Sequence, residues 1–356
     1  MHYERFVSDE CLSLLEPGGA LSHLVASTQT PWAKDRDVFP DLQLRRDDTI
    51  MLYAGLTRPL RVCRLKKSGA IRFSADKFYE RQGRGMAWGE RLEPIRSEAR
   101  VGVDLKRYLK SVELSPSALA KEGRAQNWLS RRYGVGRRAA DEWVAIDREI
   151  VIGYQDARER ESIWRPIREW AKEVARRLQN DSEYSGKYGV ALGVKAIGQE
   201  LDLLFWDPAS QCFWVTEVKD GSSAKGVYLS PLQVAAYTAI WRIFTRDYPT
   251  DALNGISRLV DQKKRLGLIA EDVALPDGLL PEMFRPLVVV REPNSRSTCW
   301  ARLQEVMSLV QSLEDDLKCG PIVGNLPVWQ LSDERLTSLD DTWQRWASGE
   351  IAASEV

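Results

Sequence analysis

Two short stretches of the chain set charged side chains at strand spacing. Glu217-Val218-Lys219 places a carboxylate and an ammonium two residues apart, and Glu200-Leu201-Asp202 places two carboxylates so. Residues two apart on a β-strand project from one face, so each pair can act together. Leu201, Leu203 and Phe205 alternate with the first acids, and Trp214 and Val218 flank the second, so both strands read as largely buried. Buried carboxylates and a buried lysine need partners or a metal. Two chemistries fit: a structural ion pair, or an oxygen-donor site for a hard divalent cation with a lysine beside it.

Whether the pairs meet depends on the connection. Asp207-Pro208-Ala209-Ser210 is a turn signal. An even loop centred between Ala209 and Ser210 pairs residues whose numbers sum to 419, setting Asp202 opposite Glu217 and Glu200 opposite Lys219. Facing side chains then lie roughly 5 Å apart. An odd loop would send the pairs to opposite faces.

The surrounding pattern predicts the elements that carry these strands. Ile163, Ile167, Trp170, Val174 and Leu178 form one apolar stripe, a helix over 160–179. Asn180 to Gly186 breaks it, and strands follow over Lys187–Lys195, Glu200–Trp206 and Gln211–Lys219. Pro231, with Ser230 as cap, opens a helix reaching about Thr245. A polar helix spans Asn254–Ile269, Leu287–Val290 reads as a buried strand, Ser297–Leu317 as a helix, and the last forty residues as irregular and acidic. Upstream, Thr49–Tyr53 is a short apolar run, and Leu60–Leu65 and Ala70–Ala75 flank a turn at Lys66–Gly69. A helix is expected from Ser115-Pro116 to about Tyr133, with a second over Arg137–Arg148 beyond the Gly134–Gly136 break.

An amphipathic helix, three strands with D…ExK on the second and third, and a helix beginning Gln233-Val-Ala-Ala-Tyr237 resemble the PD-(D/E)XK nuclease superfamily. The resemblance covers about residues 160–291. The spacing D-x14-ExK, followed by QxxxY on a helix, resembles the RecB-type exonuclease branch. It implies an α/β fold, with a restriction-endonuclease-like core of mixed sheet flanked by helices, preceded here by a mixed α+β N-terminal domain. It implies a Mg²⁺- or Mn²⁺-dependent deoxyribonuclease. Asp202, Glu217 and the Val218 carbonyl would hold the metal, Lys219 would position or deprotonate water, and Gln233 and Tyr237 would orient the substrate backbone. The acid that relatives carry on the first helix would be Glu173, with Glu169 or Glu183 as alternatives. Leu201 stands where the family name has proline, and no histidine lies near this helix. Gln233 and Tyr237 read equally as a capping amide and a core aromatic. Ser222, Ser223 and Lys225, after the ExK strand, could touch phosphates or form a mobile loop.

Rare residues exclude other chemistry. The two histidines are His2 and His23, and the five cysteines stand alone without a CxxC pair. Structural zinc and iron–sulfur sites are therefore disfavoured. No GxxxxGK[ST] stretch is present, which excludes a P-loop motor.

The zero formal net charge hides an asymmetry. Residues 1–150 hold 27 basic and 21 acidic side chains, a net of +6 balanced by −6 in the remainder. Arg81–Arg148 carries 15 basic against 9 acidic groups, with Arg84, Arg91, Arg96, Arg100, Arg131, Arg132, Arg137 and Arg138 interleaved with aromatics and glycines, Gly85 among them. Guanidinium forks suit phosphates and aromatic faces suit bases, so the stretch is a candidate nucleic-acid surface centred on Arg131, Arg132, Arg137 and Arg138, with Lys225 beside the site. A solvated helical surface with Arg–Glu pairs is the other reading.

At this length two domains are expected: a basic DNA-binding region over 1–150 and a nuclease-like region over 151–325, followed by an acidic segment over 326–356. The partner would be DNA, with RNA not excluded, and cleavage of both strands would suit a homodimer. By analogy of architecture the protein would be a restriction or phage-defence effector. The alternative is a catalytically silent, nuclease-fold binding or assembly subunit awaiting a helicase or sensor protein. Asp333, Glu334, Asp340, Asp341, Trp329, Trp343 and Trp346 could dock such a protein or belong to a packed helix. No apolar run approaches the roughly 20 residues that span a bilayer, and no signal-peptide segment opens the chain, so a cytoplasmic protein is expected.

Overall fold

The computed structural model describes residues 1–32, 37–83, 86, 88–90, 94–180, 200–324, 326–339 and 342–349. Arg84, Gly85, Arg91, Glu183, the expected strand Lys187–Lys195 and the acids Asp340 and Asp341 lie outside them, as do the side chains of Arg96 and Arg100. The protein is α/β, with two sheets and, among the described residues, ten α-helices. It divides into two compact units: Glu4–Arg148 with Asn254–Leu275, and Met1–Tyr3 with Glu149–Leu253 and Pro276–Val356. The first division falls between Arg148 and Glu149, segment 254–275 belongs to the N-terminal unit, and the C-terminal segment belongs to the second.

In the N-terminal unit, β1 (Asp41–Arg45), β2 (Thr49–Ala54), β3 (Thr57–Arg64) and β4 (Ile71–Ser74) form an antiparallel meander. Around it lie α1 (Asp9–Leu15), α2 (Ser22–Ser27), α3 (Lys77–Gln82), α4 (Pro94–Ser111) and α5 (Gly123–Tyr133). The expected hairpin turn at Lys66–Gly69 is present between β3 and β4. The helix expected from Ser115 starts only at Gly123, after a run of turns. The helix expected over Arg137–Arg148 is instead a strand, β5 (Val144–Ile150). Its residues are buried on both faces, Asp147 and Arg148 included, so no period-2 alternation marks it.

The burial of Asp147 and Arg148 rests on a charged network inside this unit. Asp147 accepts from Arg5 Nε at 2.7 Å and from Arg45 Nη1 at 3.0 Å. Burial pushes its carboxyl upward, but the charges of Arg45, Arg5 and Lys263 outweigh that and hold it well below the usual range. Arg148 donates to Asp41, Gly55 O and Gln126. Lys263 donates to Gln43 Oε1 and Ile146 O, and burial lowers its ammonium to about 8 against the pull of Asp147 and Asp41.

The second unit is built on a mixed sheet with strand order β10-β9-β8-β7-β6-β5, the Glu149–Ile150 end of β5 belonging to this unit. α6 (Ala157–Asn180) carries the predicted apolar stripe. β6 (Leu201–Asp207) and β7 (Cys212–Asp220) form an antiparallel hairpin. α7 (Ala224–Asp247) and the start of α8 (Pro249–Arg265) then lead to β8 (Phe284–Arg291), parallel to β7. α9 (Cys299–Leu313), β9 (Val328–Ser332), β10 (Arg335–Ser338) and α10 (Thr342–Ser348) complete the unit. The expected irregular tail is thus sheet and helix, with β9 parallel to β8. Trp343 is buried, and the half-buried Trp346 lies 5.1 Å from Trp300, so both pack against the unit.

α7 is apolar on nearly every side because it is enclosed by β7, β8 and α9. Trp241 of α7 stacks on Phe284, which also stacks on Phe213. The helix begins seven residues before Pro231, capped by Ser223. Pro231 lacks the N–H that would reach Val227 O, and the Ser230 hydroxyl donates to that carbonyl at 2.7 Å instead. Ser230 therefore repairs the helix interior where a cap was expected.

Candidate active site

The β6–β7 hairpin has the expected register. Leu203 pairs with Thr216, Phe205 with Trp214 and Asp207 with Cys212, each pair summing to 419. Asp207 sets it: one carboxylate oxygen accepts from the Ala209 and Ser210 amides, and the other from the Trp214 indole N–H. Continuing the register brings Asp202 to Glu217.

Asp202 Oδ2 accepts the Val218 N–H at 2.8 Å. The N–H and C=O of one strand residue point to the same side, so the Val218 carbonyl also faces toward β6. Burial first, and then the negative charge of Glu217, push the Asp202 carboxyl well above its usual range, with Lys219 and the Val218 bond opposing them. Glu217 is buried, and Lys219 Nζ donates to its Oε1 at 2.5 Å along the same face of β7. On the other side β8 presents Val288 and Val290 opposite Glu217 and Lys219.

The loop that follows is held tightly. Ser222 donates its hydroxyl to Asp220, Arg291 donates to the same carboxylate, and Ser223 Oγ accepts the Gly226 N–H. Gly221 packs so closely that a Cβ there would lie 2.2 Å from Glu292 O. The two serines are therefore structural. The first turn of α7 sits against Lys219, and Lys225 in that turn is exposed.

Tyr237 is placed differently from expectation. Its hydroxyl donates to Glu200 O at 2.7 Å, which spends its proton on the protein instead of a substrate. Burial, with Glu217 and Asp202 nearby, raises its phenol far above the ordinary value, so it stays a donor. Tyr237 thus anchors the residue two before Asp202. Glu200 itself is exposed, and Lys219 forms its ion pair with Glu217 on its own strand. Gln233, half-buried one turn earlier on α7, makes no side-chain hydrogen bond among the described residues. We expect Tyr237→Phe to lower stability by about 1 kcal/mol, because the Glu200 carbonyl loses its donor. Urea unfolding of the two proteins checks this.

Of the three candidates for the first-helix acid, Glu173 and Glu169 are engaged by basic neighbours on α6 and Glu183 lies outside the described residues. Glu173 is clamped on the surface of α6 by Arg176 at 2.7 Å and Arg177 at 3.0 Å, bonds that lower it to about 2. Glu169 is tied to Lys172. The third acid whose charge reaches Asp202 is Glu149, at the end of β5, with a left-handed backbone at φ 49°. Reading Arg137–Arg148 as helix hid it, since on a helix Glu149 has no reason to face a hairpin. Among the described residues no three His, Cys, Asp or Glu side chains converge closely enough to form a metal cage.

In the N-terminal unit three of the four arginines expected at the centre of a nucleic-acid surface are engaged within the protein. Arg131 donates to Thr28 O and lies over the Phe39 ring at 4.3 Å. Arg132 forms a two-pronged pair with Glu142. Arg137 bonds Asp272 and the carbonyls of Ala140 and Glu142. Of the four, Arg138 alone is exposed. Glu142 also receives the Arg138 and Ala139 amides, and these bonds, Arg132 first, lower it to about 2 from the usual 4.5. Because the folded value is depressed, this stabilisation is present above about pH 4.5 and is lost as pH falls toward 2. Glu142→Gln should therefore flatten the acid limb of urea unfolding in that window, by on the order of 1 kcal/mol after solvent screening.

Among the described residues no helix is long and apolar enough to cross a membrane. Comparison of the chain with protein-family models, with curated proteins and with solved structures finds no match.

Proposed function

We propose that the protein is a metal-dependent nuclease of the PD-(D/E)XK type that hydrolyses phosphodiester bonds of DNA. The observation that carries this reading is the meeting of Asp202 and Glu217 across one hairpin, with Lys219 on the same strand face. The order of α6, the antiparallel β6–β7 hairpin, α7 and the parallel strand β8 supports it, since D…ExK occupies the expected pair of strands.

The donor set fits a hard divalent cation. All its atoms are oxygens, and burial together with the neighbouring Glu217 disfavours the charge of Asp202, a cost a cation relieves. Asp202, Glu217 and the Val218 carbonyl would hold Mg²⁺ or Mn²⁺, which when bound polarises a phosphodiester oxygen and acidifies water. Lys219, held by Glu217, would orient the attacking water and offset charge building on the phosphate. The α7 first turn lies behind Lys219, so its amides and Lys225 add positive potential where a phosphate would sit. Val288 and Val290 keep competing charge away from one side.

A second reading, a silent binding subunit, draws on the closed Glu217–Lys219 pair. Labelled linear duplex, circular duplex and single-stranded DNA, incubated with Mg²⁺, Mn²⁺ or EDTA at two salt concentrations, separate the two. Cutting with metal and none in EDTA is the expected result. Salt-sensitive binding without cutting transfers the protein to the second reading, and neither binding nor cutting overturns both.

A further inference from the structure

A cavity of about 290 Å³ opens beside the candidate site, within the second unit. Its walls come from the segment after β5 (Tyr154), from α6 (Arg160, Trp164), from the start of β6 (Leu201) and from α7 (Tyr237, Trp241). It adjoins the carboxylates through Tyr237, which forms a wall of the cavity, holds Glu200 O through its hydroxyl and lies within electrostatic reach of Glu217 and Asp202.

The lining has a definite chemistry. Tyr154, Trp164, Tyr237 and Trp241 give it aromatic walls, one face of Trp241 being stacked on Phe284. Arg160 is the one charged residue of the lining. It is exposed, and among the described residues its guanidinium forms no ion pair. No acid is among the residues that line the cavity. The volume stands at the low end of small-molecule sites, which run roughly 300–1,000 Å³, and suits one planar ring system. Aromatic walls with an arginine at the rim are what a base and its phosphate require.

We propose that this cavity takes the base of the nucleotide next to the phosphodiester held at Asp202 and Glu217, with Arg160 on that nucleotide's own phosphate. The proposal rests on the nuclease reading and names the part of the substrate that seats it. A nucleotide anchored there is unstacked from its neighbours, so strand ends and single strands are cut faster than continuous duplex.

Two measurements test it, one independent of cleavage. In EDTA, calorimetric titration with deoxyadenosine 5′-monophosphate should give binding about tenfold tighter than with deoxyribose 5-phosphate, the difference being the stacked base. Arg160→Gln, a surface change that leaves folding intact, should weaken the nucleotide about five- to twentyfold. With metal, an abasic residue placed beside the cut should lower kcat/KM about tenfold, while the same lesion several nucleotides away has no effect. Equal affinity for the nucleotide and the sugar phosphate overturns the proposal, as does cutting that ignores the abasic site. If the enzyme cuts but ignores the lesion, the cavity proposal falls and the nuclease reading stands. If the nucleotide binds through its base and Arg160 but no metal elicits cutting, the nuclease reading falls and the cavity remains a nucleotide site.

Discussion

Asp202→Asn is expected to abolish metal-dependent cleavage, by about 10²–10⁴-fold, while leaving the folded protein as stable as the wild type or more so. Asparagine keeps an oxygen for the Val218 N–H, so the hairpin loses no hydrogen bond. It removes a charge that burial and Glu217 both oppose, a change worth zero to about 1 kcal/mol of stability at neutral pH in EDTA. DNA affinity should stay within about threefold, since the acid contributes repulsion rather than attraction to phosphate. Lys219→Ala should lose cleavage by a similar factor but behave differently on unfolding. It strands the buried Glu217 carboxylate, and removing one partner of a buried pair costs about 3–5 kcal/mol. Melting curves and cleavage rates on the two variants therefore separate function from scaffold. A fall of many degrees in both would assign the group to a structural ion network and end the nuclease reading. Lost cleavage with an unchanged or raised Tm in Asp202→Asn is the signature of a site whose strain serves chemistry.

An effect on stability as large should come from the other unit. Asp147→Asn leaves Arg5 and Arg45 beside a neutral amide, with Arg148 and Lys263 close by and Asp41 as the remaining anion of the network. Loss of a buried counter-charge costs about 3–5 kcal/mol, which lowers the Tm of a domain this size by roughly 10 °C. Lys263→Met in the same background should recover part of the loss, because Lys263 is the cation already least comfortable with its charge. A double-mutant cycle by urea unfolding measures that coupling, expected at about 1–2 kcal/mol. Strict additivity would mean that Asp147 and Lys263 do not share one field. Conservative replacement at Arg138, which is exposed, should move stability by less than about 0.5 kcal/mol and serves as the reference.

Legibility in the sequence tracked the range of the forces involved. Spacing along one strand put Glu217 and Lys219 on a common face, and the Asp207 turn, which closes on its own neighbours, carried the register that brings Asp202 to Glu217. The apolar stripe of α6 and the run of valines in β8 were equally plain, because helix and strand periods are properties of the local backbone. Where a local rule met a tertiary demand, it misled. Pro231 looked like a helix start, yet the enclosure of α7 between sheet and helix favoured a longer helix whose broken bond Ser230 repairs. β5 read as a charged helix because its Asp147 and Arg148 are buried by partners far away in the chain.

The sequence by itself therefore determined the α/β class, the strand pair, and the identity of the acids and lysine that face one another. Only the tertiary structure decided which further groups join them. It turned the Tyr237 hydroxyl to the Glu200 carbonyl and clamped Glu173 between two arginines. It brought Glu149 within electrostatic reach of Asp202, and it engaged Arg131, Arg132 and Arg137 inside the protein. Each of these outcomes turns on a charged or hydroxyl group choosing among partners. That choice is made by desolvation and distance in the folded state, where a carboxylate or guanidinium takes whichever counter-group lies within about 3 Å.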